Sequence, residues 1–381
     1  MHETNAFDSE SPTYAYIVRL DTTEMDMTMG PKFGLILSDG AGLSPSQAVK
    51  DGVLGEKSGF DSVWIPDHLT DYDGGARIDC WTVLAGIGVQ TQKVDLSPAV
   101  TDVHIVHPAK AAQIIASLDE LTRGRAMVAL GAGEAMSIVP FGIEFEKAKA
   151  RAQRLKEYID VLKLLWSANR RNRAMYQGEF YNLHDAFIIQ EPVRKPHPPI
   201  YIGAIESNTL LRMTGEIADG WLPWMTTPDM FGDGFRVISD AARTSGRKID
   251  QIDRVAWIYS CISKDRKVLR AALDAGKVGL FVSKTILRRL GYPVPNTAHY
   301  THMLAHEPYL TWDSMLEAAK DVPEEAVYKS CMIKETGSEC IEFIDQYVKA
   351  GATHIGIRPM GCPVKDVVDQ VSKVVIPSFR R

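Results

Sequence analysis

Glu134 follows the apolar run Ala126–Leu130 across the short glycine-rich turn Gly131-Ala132-Gly133. An uninterrupted apolar run of that length reads as a parallel strand buried on both faces. An acid just past such a strand stands where barrel enzymes place their chemistry, because the loops after the strands build the active face. Glu134 is therefore a candidate proton donor, although a turn made by Gly131 and Gly133 with Glu134 capping the next helix accounts for the same residues. Asp67 and His68 follow the apolar run Ser62–Ile65 after one proline and fall on the same face. Histidine titrates near neutrality and suits general acid catalysis. A helix cap at Asp67 and simple packing of His68 form the alternative. Ala99-Val100-Thr101-Asp102 closes another apolar run with small and β-branched residues, which leaves room for a flat ring against the backbone.

A phosphorylated cofactor needs backbone donors or hydroxyls, and a helix N-terminus after a strand supplies them. Gly203-Ala204-Ile205-Glu206-Ser207-Asn208 is such a place, with Gly203, Ala204, Ser207 and Asn208 as candidate ligands. Glu206 would repel an anion unless turned away, and Ser207 and Asn208 serve equally well as caps. Arg358 ends an apolar run in Ile357-Arg358-Pro359 and would face the same mouth as a substrate contact. His104 and His107, with His299, His302 and His306, lack carboxylates or cysteines at ligand spacing, so no metal site is expected.

The elements that must position these residues alternate. Strands are expected at 32–37, 62–65, 94–100, 126–130, 199–204, 220–223, 253–262 and 354–358. Helices are expected at 44–59, 78–88, 109–121, 147–169, 207–218, 228–245, 264–290 and 338–350. Eight such pairs predict an α/β chain folded as a (β/α)8 TIM barrel. A doubly wound sheet alternates in the same way, but no run is followed by Gly-x-Gly-x-x-Gly; Gly131-Ala132-Gly133 continues into Glu134-Ala135-Met136. The Pro-rich stretch from Met175 to Pro199 and the long segment from Leu290 to Val322 break the alternation. The expected organisation is a flexible extension over 1–29 and one barrel over 30–381, with insertions near 172–198 and 290–335. The second insertion would shape substrate access.

With 45% hydrophobic and 24% charged residues, the chain has the composition of a soluble globular protein. A net charge of −5 with scattered Lys and Arg offers no footprint for nucleic acid or an anionic membrane. Five cysteines, an odd number with no Cys-x-x-Cys pair, point to a reducing cytoplasm. The first residues lack a secretory pattern, and no apolar run reaches membrane-spanning length.

Leu118-Asp119-Glu120-Leu121-Thr122-Arg123-Gly124-Arg125 with Gly131-Ala132-Gly133-Glu134, Trp64-Ile65-Pro66-Asp67-His68, and Ala99-Val100-Thr101-Asp102 with His107-Pro108 resemble three motifs of the luciferase-like superfamily, in order. The resemblance implies a barrel, usually dimeric, that binds FMN or the deazaflavin coenzyme F420. It further implies that Glu134 is the acid, that His68 lies near the ring, and that a non-proline cis peptide at Ala99–Val100 backs the ring. Thr101 and Asp102 would meet the ring edge, where relatives often carry Thr-Asn, and Asp67, Gly131 and Gly133 complete the cofactor set. FMN-dependent relatives tend to have Arg-Tyr-x-Arg where this chain has Arg151-Ala152-Gln153-Arg154, and the missing tyrosine favours F420. The implied function is hydride transfer between reduced F420 and a carbonyl or methylene-pterin type substrate. Methylenetetrahydromethanopterin reductases and phthiodiolone-type ketoreductases are the families most resembled. An FMN-dependent monooxygenase and a non-catalytic cofactor-binding barrel are the alternatives.

Overall fold

The computed structural model describes residues 30–38, 43–70, 77–294 and 311–380, so the expected extension over 1–29 and the histidines at 299, 302 and 306 lie outside the described residues. Eleven strands are present among them: β1 Lys32–Ile36, β2 Ser62–Asp67, β3 Asp95–Asp102, β4 Val128–Gly131, β5 Ala174–Gln177, β6 Asn182–Ala186, β7 Ile200–Ile202, β8 Gly220–Trp221, β9 Asp253–Ile262, β10 Met332–Lys334 and β11 His354–Pro359. Eight of them form one parallel ring in the order β11-β1-β2-β3-β4-β7-β8-β9. It is closed because β9 pairs with both β8, through Gly220 opposite Asp253, and β11, through Trp257 opposite Gly356. This is the expected (β/α)8 barrel; β10 adds to the far end of β9.

The ring has two apolar faces because its strands alternate. Leu35, Val63, Leu96, Val128 and Ile200 point out under the helices and are fully buried there. Ile36, Trp64, Ala129, Tyr201, Val255 and Trp257 point inward and fill the barrel. Each such side chain contributes about 1.5–3 kcal/mol on full burial. Helix starts are set locally. Ser44, His107 and Thr227 cap helices Pro45–Lys57, Pro108–Leu121 and Pro228–Thr244, each with proline in the first turn, where its missing N–H costs nothing.

The floor of the barrel is polar. Asp253 accepts from the Tyr201 hydroxyl at 2.9 Å and the Thr353 hydroxyl at 2.6 Å and faces His354 Nδ1 at 3.1 Å. His354 Nε2 lies 2.8 Å from Ser62 Oγ, which accepts the Trp64 indole N–H at 2.6 Å. The Ser62–His354–Asp253 order resembles a nucleophilic triad. Ser62 and His354 are 1% and 2% exposed, however, so the cluster is a saturated structural plug.

The described parts of both irregular stretches lie outside the ring. Strands β5 and β6 form an antiparallel hairpin at the start of the first stretch. Its turn is held on the long helix Ala148–Ser167 by Glu157, whose carboxylate accepts the N–H groups of Glu179 and Phe180 at 2.9 Å each. The helix expected at 264–290 is two pieces, Arg266–Val282 and Lys284–Arg289. The apolar period runs through the junction, but Ser283 has ψ of 75°, outside the helical range. Helices Trp312–Ala319 and Glu324–Ser330 then pack on the first piece through Met315, Ala319 and Val327, in a second apolar cluster with Leu273 and Phe281. The closing helical segments Val364–Gln370, Val371–Val375 and Ile376–Phe379 were not expected from the sequence pattern.

Candidate active site

The C-terminal ends of β2, β3 and β4 lie side by side and bring three of the sequence motifs together. Strands β2 and β3 slip in register between Ile65 and Asp67, and at that step the Ala99–Val100 peptide is cis, as the resemblance implied. Val100 is received by backbone that has no side chains of its own. A Cβ on Gly131 would stand 2.7 Å from Val100 Cγ2, and one on Gly203 3.1 Å from Val100 Cγ1. These glycines make room for the Val100 side chain, so the bulge packs directly on the backbone of the neighbouring strand ends.

Two aspartates staple this bulge to its neighbours. Thr101 Oγ1 donates to the Asp67 carboxylate, joining β3 to β2. Burial pushes the Asp67 carboxyl up from its ordinary range, against hydrogen bonds from Thr101 and Cys80. Asp102 joins β3 to the loop after β4: its Oδ2 accepts the backbone N–H of Glu134 at 3.1 Å. Its Oδ1 accepts the His104 N–H at 2.9 Å and faces His104 Nδ1 at 2.6 Å. Gly133 passes over this pair with φ of +97°, and a Cβ there would lie 2.8 Å from the His104 ring, so both conformation and space require glycine.

The loop so held presents Glu134 to His68, with Oε2 3.5 Å from Nε2. Glu134 stands at the N-cap of the short helix Ala135–Ile138, yet its side chain makes no capping bond. The capping account of Glu134 therefore has no hydrogen bond behind it, and the carboxyl and imidazole meet at the mouth. Their side chains are 53% and 21% exposed, which leaves both open to an incoming molecule.

The fourth motif is adjacent. The Gly203 N–H bonds Leu130 O at 2.9 Å, and Ala204 O accepts the Trp221 indole N–H at 2.7 Å. Ser207 is the cap of helix Asn208–Ile217, its Oγ accepting the Leu210 N–H at 3.4 Å. Glu206 does not stand alone, since Arg289 lies 3.3 Å away and also pairs with Asp233. Arg358 is the penultimate residue of β11, with its guanidinium carbon 5.9 Å from the Trp257 ring. The sequence reading missed the aromatic wall beside it. Trp257 packs on Tyr259 at 6.2 Å, and the Tyr259 hydroxyl accepts the Trp224 indole N–H at 2.8 Å. Its signal was the spacing Val255, Trp257, Tyr259 on one strand, which places all three on one face. Arg151 stacks on Phe145 at 3.8 Å and Arg154 pairs with Glu146, so neither is a bare solvated helix face. Among the described residues no group of three His, Cys, Asp or Glu is placed to hold a metal ion, and no helix is long and apolar enough to cross a membrane.

The family model described as luciferase-like monooxygenase matches residues 30–354, most of the chain, including the strand ends that carry Asp67, Asp102 and Glu134. The chain belongs to that family. Among its relatives, the F420-dependent glucose-6-phosphate dehydrogenase of Microbacterium testaceum is 29% identical over 93% of this chain and 99% of its own length. That of Nakamurella multipartita is 32% identical over 88% of this chain and 93% of its own. The solved structure of the coenzyme F420-dependent tetrahydromethanopterin reductase of Methanopyrus kandleri superposes with a TM-score of 0.76. It is 23% identical and covers 92% of this chain and 99% of that one, which is a likeness of fold.

Proposed function

We propose that this protein is a coenzyme F420-dependent oxidoreductase that moves a hydride between the deazaflavin and a carbonyl or methylene carbon of a small molecule. The observation that carries the reading is the Glu134–His68 pair, 3.5 Å apart, beside the cis bulge and the glycines it packs on. The close relatives named for F420 chemistry over nearly their whole length support it. The residues present fit the group: the Val100 bulge, packed on Gly131 and Gly203, offers an apolar surface, and Gly133, Ala204, Ser207 and Asn208 stand at two loop ends with backbone, hydroxyl and amide donors.

When bound, F420 supplies two-electron hydride chemistry. The chain then has to align donor and acceptor and manage one proton. Ala99, Val100, Thr101 and Asp102 form the seat, with Asp67 fixing Thr101 and Asp102 fixing the Glu134 loop. Glu134 exchanges a proton with the substrate oxygen or nitrogen, and His68 holds that carboxyl in place. Arg358 and the Trp224–Tyr259 wall orient the substrate from the opposite side of the ring of strands. A homodimer in the cytoplasm is part of this reading.

Mixing the protein with oxidised F420 and the probes glucose 6-phosphate or propan-2-ol, or with reduced F420 and acetone, tests the reaction class. Loss of the deazaflavin absorbance with an alcohol, or its return with the ketone, is expected for at least one pair. Oxygen consumption with reduced FMN, and inertness toward F420 throughout, would contradict it.

A further inference from the structure

We propose that His104 is a positioning residue, the clamp that fixes the Glu134 loop by ordering Asp102. This rests on the active site just described, but not on which cofactor fills it. Three observations meet at this side chain, which is only 3% exposed.

Its Nδ1 is 2.6 Å from Asp102 Oδ1, and the other oxygen of that carboxylate accepts the Glu134 N–H at 3.1 Å. A carboxylate free to rotate about its side-chain torsions would not hold a backbone N–H in one place; Oδ1 is held by the His104 backbone N–H at 2.9 Å and, more closely, by the ring at 2.6 Å, and the ring contact is the one a substitution can remove. The ring is itself fixed from behind. Its Nε2 faces Glu146 Oε2 at 3.4 Å, and Glu146 accepts from Arg154, including Nε at 3.0 Å. Arg154 stacks on Phe180 of the β5–β6 turn at 4.2 Å, and that turn is held by Glu157 on the same helix. Finally, Gly133 passes so close over the ring that no larger residue fits, so the loop rests on His104 directly.

The chain of contacts runs from the long helix and hairpin through Arg154, Glu146, His104 and Asp102 to the Glu134 amide. Arg151, held over Phe145, is the remaining charge beside this cluster, attracted to Asp102 and Glu146. Arg154 is engaged by Glu146 and Arg151 by Phe145, so with the ring contact removed Asp102 Oδ1 keeps only the His104 backbone N–H at 2.9 Å and the longer-range attraction of Arg151.

The two amide side chains separate the ring's two contacts. Asparagine places its N–H near the position of Nδ1, and glutamine places its N–H near that of Nε2. The test is amide hydrogen exchange of the peptide spanning Gly131–Met136 in the full-length protein without coenzyme, compared among wild type, His104→Asn and His104→Gln. Thermal midpoints are measured beside it. His104→Gln is expected to exchange faster in that peptide by about tenfold or more, as local opening predicts, while His104→Asn stays near wild type. Turnover should follow the same order, with the Gln variant losing on the order of 10–100-fold in kcat and little in coenzyme KM, as expected for a misplaced catalytic group. Equal effects of both substitutions, or a change in thermal midpoint with no local change in exchange, would overturn the proposal. The exchange measurement needs no cofactor, so its outcome is separate from the assignment of F420.

Discussion

Glu134→Gln is expected to lower F420 turnover by about 10²–10⁴-fold, the range over which a positioned acid or base acts. Coenzyme affinity should change by no more than a few-fold, because the loop backbone that approaches the ring stays on Asp102 through the Glu134 N–H. Glutamine preserves the volume and the contact toward His68 Nε2 while removing the exchangeable proton. The loss should therefore appear in kcat with KM nearly constant, the signature of an interaction made only in the transition state. His68→Asn should cost less, since in this account it holds the carboxyl and does not supply the proton. Equal turnover in wild type and Glu134→Gln at saturating substrate would return Glu134 to a loop residue.

Asp253→Ala should give the largest loss of stability among substitutions away from the mouth. The carboxylate is the common acceptor for Tyr201, Thr353 and His354 at the barrel floor, with Lys32 Nζ 3.9 Å away. Removing one partner of a buried charged cluster costs roughly 3–5 kcal/mol, because the others are left without water or protein in its place. Burial alone would raise this carboxyl, but the neighbouring His354 charge and hydrogen bond, with Lys32 and Thr353, outweigh it and hold Asp253 well below the usual carboxylate range. A group depressed in the folded state contributes stability above its unfolded value, about 3.9, and that contribution is lost as pH falls below it. Chemical denaturation of both proteins should thus show a wide gap at pH 6–7 that narrows as the pH approaches 3. A gap under about 1 kcal/mol, or one that does not change with pH, would mean that the floor cluster contributes little, as exposed ion pairs do.

The barrel was legible because its signal is repeated. Eight apolar runs at crossover spacing leave few topologies, and each of the eight expected strands and helices has a counterpart in the fold. Element ends were less legible. The break at Ser283 has no proline or glycine to announce it, and the helical turns after Pro363 carry too short an apolar pattern to stand out. The placement of Glu134, His68 and Arg358 at strand ends was readable from position after an apolar run. What joined those residues was not. That Asp102 reaches the Glu134 amide, that His104 braces Asp102 and that Glu146 backs His104 depend on side chains from separate strands and loops converging, for which no local spacing exists. The same holds for Ser62, Asp253 and His354, which lie far apart in sequence and meet only when β9 and β11 close the ring. Ser207 shows the opposite limit: the sequence placed it at a helix start, and the structure uses its oxygen there as a cap.

The most direct test of the central claim is a pair of equilibrium titrations of the purified protein, with F420 and with FMN, under one buffer and salt. The backbone bulge at Val100, packed on Gly131 and Gly203, has no group specific to one ring, so discrimination is expected from the contacts around it and from Ala152, where FMN-dependent relatives tend to carry tyrosine. A tenfold preference corresponds to about 1.4 kcal/mol, within reach of one or two head-group hydrogen bonds. F420 is expected to bind at least about tenfold more tightly. FMN binding equally or more tightly would contradict the assignment of the cofactor while leaving the barrel and its Glu134–His68 mouth as described.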